Sequence, residues 1–211
     1  MSKTKLISIK LKQADLNLIT KAHIMDHLAT FIRQVRNRSS EHQRAMRLLT
    51  TELLAGQMIS VLRQELDSMV RVIYLLAQPL DRRMLLIEDS VNGNKWSLSN
   101  SKAKVTDREM VALSQTLQGW TQSVYKFGCA FIHLSNLHDY NDRDALAQLP
   151  ANEREDLLQH CRYYHGGPSQ NSVRFDDLVP YLPRVLDKIS SNLEYYLKDL
   201  ESGIVRGAND Y

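Results

Sequence analysis

From Asp15 onward, apolar residues recur every three or four positions. Leu16, Ile19, Ala22, His23, Leu28 and Ile32 share one stripe and predict a helix running to about Val35. Before it, residues 5–12 (KLISIKLK) alternate, with Leu6 out of phase, and predict a short strand. The polar run Arg36-Asn37-Arg38-Ser39-Ser40 predicts a break, with a serine capping the next helix. A second stripe then runs through Leu48, Leu49, Leu53, Leu54, Met58, Ile59, Leu62, Leu66, Met69, Val70, Ile73 and Leu76. It predicts a long helix, kinked near Gly56 and ended before Pro79.

The period changes after Pro79. Met84–Ile87 is apolar, Asn92-Gly93 is a hairpin-turn signal, and Trp96 and Leu98 alternate behind it. A β-hairpin over 83–99 is predicted, packed on the helices or paired with residues 5–12. Thr106 and Glu109 form a capping box. It opens a helix through Met110, Leu113, Leu117, Trp120, Val124, Phe127, Phe131 and Leu134. A weaker box at Asn152–Glu155 opens a helix to about Tyr164, which Gly166-Gly167-Pro168 ends. A last helix is predicted over 175–201, with Pro180 and Pro183 in its first turns, followed by a frayed tail over 202–211. The expected fold is all-α. It is a single domain over 1–211, an up-and-down bundle of about five helices with a small β-hairpin inserted near 84–98.

Composition narrows the classes. The chain has 211 residues, 43% hydrophobic and 24% charged, enough to bury a core without staples. Net charge is +3, but eleven basic residues against four acidic ones make the first 63 positions +7. A basic N-terminal part suits an anionic partner such as RNA. Cys129 and Cys161 sit in apolar helical contexts and no CxxC exists, which predicts buried thiols in a reducing compartment. The start, MSKTKLISIKLKQ, lacks the apolar core of a signal peptide. The apolar run Val72–Ala77 is far too short to span a bilayer, so no membrane contact and a cytoplasmic location are expected. No GxxxxGK(S/T), GxGxxG, GxSxG or DFG-like element is present, which argues against nucleotide-loop enzymes, Rossmann enzymes and α/β-hydrolases. No cofactor is expected.

The strongest candidate chemistry is KFGCAFIHLSNLHDY, residues 126–140. Lys126 and His133 are seven apart, two helical turns, and project from nearly one face. In that reading His133 is a general acid/base, Lys126 and Arg71 steady phosphate, and His138 and Asp139 support from behind. The two histidines are five positions apart, so a continuous helix would not bring them to one metal. The alternative is that His133 is a satisfied core histidine and Ser135, Asn136, His138 and Asp139 only close the helix. A second element is Arg36-Asn37-Arg38-Ser39-Ser40-Glu41-His42. Arginine can hold phosphate charge and histidine can move a proton, as RNA cleavage through the 2′-hydroxyl requires. Its bland counterpart is an exposed basic turn. His160, Arg162 and His165 gather near a helix end, where they either extend an anion site or complement the helix C-terminus. Arg63, Glu65, Asp67 and Arg71 make a charge ladder inside an apolar helix, either a solvated face or paired charges orienting a site.

Together these traits resemble the HEPN superfamily of small helical prokaryotic proteins. The residues that carry the resemblance are Arg36, Asn37 and His42, matching an R-x(4–6)-H pattern, with the FIHLSNLHDY phrase and the ELDSMVRVIYLL helix beside them. The resemblance implies metal-independent endoribonuclease activity in a toxin–antitoxin or antiphage-defence setting, with the site shared across a homodimer and an antitoxin or operon partner protein. This chain departs in position: the late helix, where family members carry the motif, offers Lys126 and His133 instead. Lysine for arginine turns a phosphate fork into a point charge. Two other readings stand beside it: a non-catalytic helical module for dimerisation or protein binding, and a metal-assisted hydrolase using His133, His138 and Asp139.

Overall fold

The computed structural model describes residues 3–99 and 101–206, with side chains from Asp26 onward. The fold is all-α. Helix α1 covers Lys3–Thr51, α2 Ala55–Leu76, α3 Leu80–Val91, α4 Asp107–Gln118 and α5 Thr121–Ile132. Helix α6 covers Ala151–His165, the short α7 Phe175–Leu178, and α8 Leu182–Glu201.

Helix α1 takes in both the expected strand at 5–12 and the expected break at 36–40. Neither Gly nor Pro occurs before Gly56, so nothing in this stretch stops a helix once it has formed. The polar run is not a loop. Ser39 and His42 are buried and point at α2. Where a kink near Gly56 was expected, the chain reverses over residues 52–54, and α1 and α2 pack antiparallel. Leu53 makes this turn at φ +55, a conformation non-glycine residues rarely take.

Helix α2 is the centre of the fold. Met58, Ile59, Leu62, Leu66, Met69, Val70, Ile73 and Leu76 are buried on every side of it, because α1, α3, α4, α5 and α8 all pack against it.

The expected hairpin is replaced by α3. Leu86 and Ile87 face the core at helical, not alternating, spacing, and Asn92-Gly93 ends α3 instead of turning a hairpin. Among the described residues, the only strand-like pairing is an isolated bridge between Ser97 and Lys104. Trp96 is buried and donates Nε1–H to the Leu86 carbonyl at 2.7 Å. Arg83, 2% exposed, donates from Nε to the Leu75 carbonyl (2.9 Å) and from Nη2 to that of Leu76 (3.0 Å). A buried guanidinium thus joins the Gln78 and Arg206 backbone N–H groups in satisfying the carbonyls at the end of α2.

The Thr106–Glu109 capping box forms as read and opens α4. The expected continuous helix from there is two helices, because Gly119 adopts φ +71 and ends α4. Helix α5 crosses α2 closely at Gly128, where a Cβ would stand 2.7 Å from that of Arg63. The second capping box does not form: Pro150, not Asn152, precedes α6. The last expected helix is interrupted by a 3-10 turn at Val179–Tyr181, where Pro180 removes a donor. Part of the expected frayed tail is docked. Arg206 donates its backbone N–H to Leu76 at 3.0 Å, and its guanidinium meets Asp199 and the Tyr195 hydroxyl. Residues 207–211 lie outside the described ones. Among the described residues, no helix is long and apolar enough to cross a membrane.

Candidate functional site

The 126–140 stretch does not assemble as a stripe. Helix α5 stops at Ile132, and His133 takes extended backbone, so it leaves the face that Lys126 occupies. His133 is exposed. Lys126 opens onto a polar cleft of about 480 Å³ with Asn136, Gln148 and Glu153, and pairs with Glu153 at 3.3 Å. His133 is not on that cleft. His138 sits on a 3-10 turn, where its Nδ1 accepts from the Ser135 N–H at 3.2 Å. Asp139 pairs with Arg143 at 3.2 Å on the surface. The capping alternative therefore describes His138. Among the described residues, no three His, Cys, Asp or Glu side chains are placed to hold a metal ion.

Arg71 belongs to another network on the far side of α2. Its Nε donates to Asp67 at 3.1 Å and its Nη2 to Asp107 at 3.2 Å. Arg63 reaches the same Asp107 at 3.2 Å, stacks over Tyr125 at 4.1 Å, and Arg38 approaches Asp67 at 3.6 Å. Three arginines share two carboxylates, and this network ties α1, α2 and α4 together. It does not meet Lys126. The charge ladder thus splits, because Glu65 turns the opposite way.

Glu65 is 0% exposed and anchors the interior polar cluster. It accepts from Ser39 Oγ at 2.5 Å, His42 Nδ1 at 2.6 Å and Ser190 Oγ at 2.9 Å, so one carboxylate joins α1, α2 and α8. Burial pushes its pKa up. The hydrogen bonds from His42, Ser39 and Ser190 outweigh that and hold it below the ordinary glutamate range. His42, whose side chain is 9% exposed, is held by this carboxylate.

Arg36 does not join His42. Its guanidinium is clamped by Glu194 (2.9 and 3.0 Å) and Glu201 (2.8 and 2.9 Å) of α8. The clamp raises its pKa and lowers that of Glu201. Asn37 is exposed on the other side of α1. The motif's residues therefore point in three directions. A helix spreads positions 36, 37 and 42 around its circumference, whereas a loop, as expected, could have gathered them.

What the sequence reading missed is the face of α1 opposite the core. Arg33, Asn37, Ser40, Arg44 and Arg47 are exposed there, at steps of three, four and seven. Among the described residues, Arg33 makes one side-chain hydrogen bond, to Thr30 Oγ1 at 3.3 Å, within its own helix. Arg44 and Arg47 make no ion pair among the described residues. Glu41 is the one acid exposed between them. From position 33 to 47 the face spans about 21 Å at 1.5 Å per residue. Basic counts along the chain pointed to this region, but only the straight helix shows which arginines α2 and α8 leave unpaired.

No family model, no curated protein and no solved structure matches this chain.

Proposed function

We propose that the protein binds RNA along the outer face of α1 and does not cut it. The observation that carries this reading is the row of Arg33, Arg44 and Arg47, exposed and without carboxylate partners among the described residues, on one helix face. Guanidinium forks suit phosphate oxygens, and contacts of this kind need no base sequence. Groups that cleavage would require are engaged elsewhere: Arg36 by two glutamates, His42 by buried Glu65, Lys126 by Glu153. His133 is exposed, and among the described residues no arginine or lysine pairs with its ring.

The test is incubation of the protein with labelled single-stranded RNA, with and without chelator, scored for both binding and cleavage. Saturable binding with intact RNA supports the reading, and the variant with Arg33, Arg44 and Arg47 all changed to Gln loses most of it. The HEPN-like endoribonuclease reading replaces it if RNA is cut despite chelator and His42→Ala abolishes cutting. That reading rests on the 2.6 Å His42–Glu65 pair, in which a carboxylate holds one ring nitrogen and leaves the other to act as a base. Cutting lost on chelation and restored by zinc or manganese would instead favour the metal-assisted reading of His133, His138 and Asp139.

A further inference from the structure

A recess of different character lies between α6 and α8, over α2. Ile59, Leu62, Trp120, Phe127, Leu157 and Val185 make it almost wholly apolar, and it encloses about 70 Å³. Its mouth is cationic. Lys188 lines it, with Nζ 5.7 Å over the Tyr164 ring. Arg184 lies 5.5 Å over the Tyr181 ring and donates to the His165 carbonyl at 3.2 Å. Neither Lys188 nor Arg184 has a carboxylate partner among the described residues. Nearby acids turn elsewhere: Glu155 approaches Arg162 at 3.8 Å, and Asp187 faces a separate recess with Gln43 and Tyr195. Burial, Lys188 and Arg184 together hold His165 below the ordinary histidine range, as expected where cations gather without acids.

We infer that this recess binds a small amphipathic anion, a short-chain alkyl carboxylate, with its tail inside and its head between Lys188 and Arg184. Two aromatic rings back the two cations, holding them at the rim and leaving their charge unspent. Size limits the tail. The space is about half the 150 Å³ of a dry cavity that takes benzene, so roughly three carbons fit, and neither a ring nor a long acyl chain does. The recess is separate from the α1 face, so this inference stands independently of RNA binding.

Isothermal titration of the full chain with butanoate, butan-1-ol and acetate tests it. Butanoate is expected to bind saturably, about tenfold or more tighter than either control, because each control lacks one half of the match. Changing Lys188 and Arg184 together to Gln is expected to remove that advantage over butan-1-ol while leaving butan-1-ol itself unchanged. Equal binding of butanoate and butan-1-ol would overturn the inference, as would no butanoate binding up to ~10 mM. The comparison of the three ligands on the unaltered protein decides the matter even if the variant folds poorly.

Discussion

Glu65→Ala removes the acceptor on which three helices converge. In the native chain that carboxylate is fully buried and takes three hydrogen bonds, from Ser39, His42 and Ser190. Alanine leaves two hydroxyls and an imidazole facing a void. Breaking a buried charged pair costs about 3–5 kcal/mol, most of it the desolvation of the partners left behind. About 4 kcal/mol is a large part of the 5–15 kcal/mol that holds a domain together. With a urea m-value of about 3 kcal/mol/M for a chain of this length, the unfolding midpoint falls by about 1.3 M. Urea titration followed by circular dichroism reads it directly. Glu65→Gln keeps one carbonyl acceptor and is expected to fall between the two. The same group sets a pH dependence. Its folded pKa is depressed, so its contribution is present above the ordinary glutamate value of about 4.3 and is lost as pH falls below it. A midpoint shift under about 0.3 M for Glu65→Ala, or acid unfolding that Glu65→Gln leaves unchanged, would refute the assignment of this cluster as the pin between α1, α2 and α8.

Two further substitutions probe the same frame. Arg83→Met keeps the apolar stem but removes the guanidinium donors that the Leu75 and Leu76 carbonyls take beside the Gln78 and Arg206 backbone N–H groups, and is expected to cost about 1–2 kcal/mol in urea unfolding; an unchanged midpoint would mean that the backbone donors alone serve those carbonyls equally well. Leu53→Gly relieves a left-handed residue that is 74% exposed and packs little, so it is expected to raise the melting temperature, by about 0.5–1 kcal/mol of stability; a drop would show that the Leu53 side chain contributes more than its backbone costs.

The core was legible wherever period and caps agreed. Leu62, Leu66, Met69 and Ile73 lie on the buried α2 as their spacing predicted, and Thr106 caps α4. Residues 83–99 misled because the window began after the first turn of α3 and ran on past its end, which hid the helical period of Leu86 and Ile87. Residues 36–40 misled for a different reason. Ser39 and His42 look like loop chemistry, but Glu65 and Ser190, far away in sequence, make them an interior seam. That long-range pairing is not written in local pattern. The same holds for Arg36, whose two glutamates lie on α8. Once those partners are known, the unpaired arginines stand out by subtraction.

The most direct measurement is the salt dependence of RNA affinity, by fluorescence anisotropy with a short single-stranded RNA. Each phosphate contact on a single strand adds about 0.7 to the slope of log K against log salt. Changing Arg33, Arg44 and Arg47 together to Gln is predicted to flatten that slope by about 2, with the urea midpoint of the protein unchanged. A slope identical to that of the native chain, or no RNA binding by the native chain at all, would contradict the account.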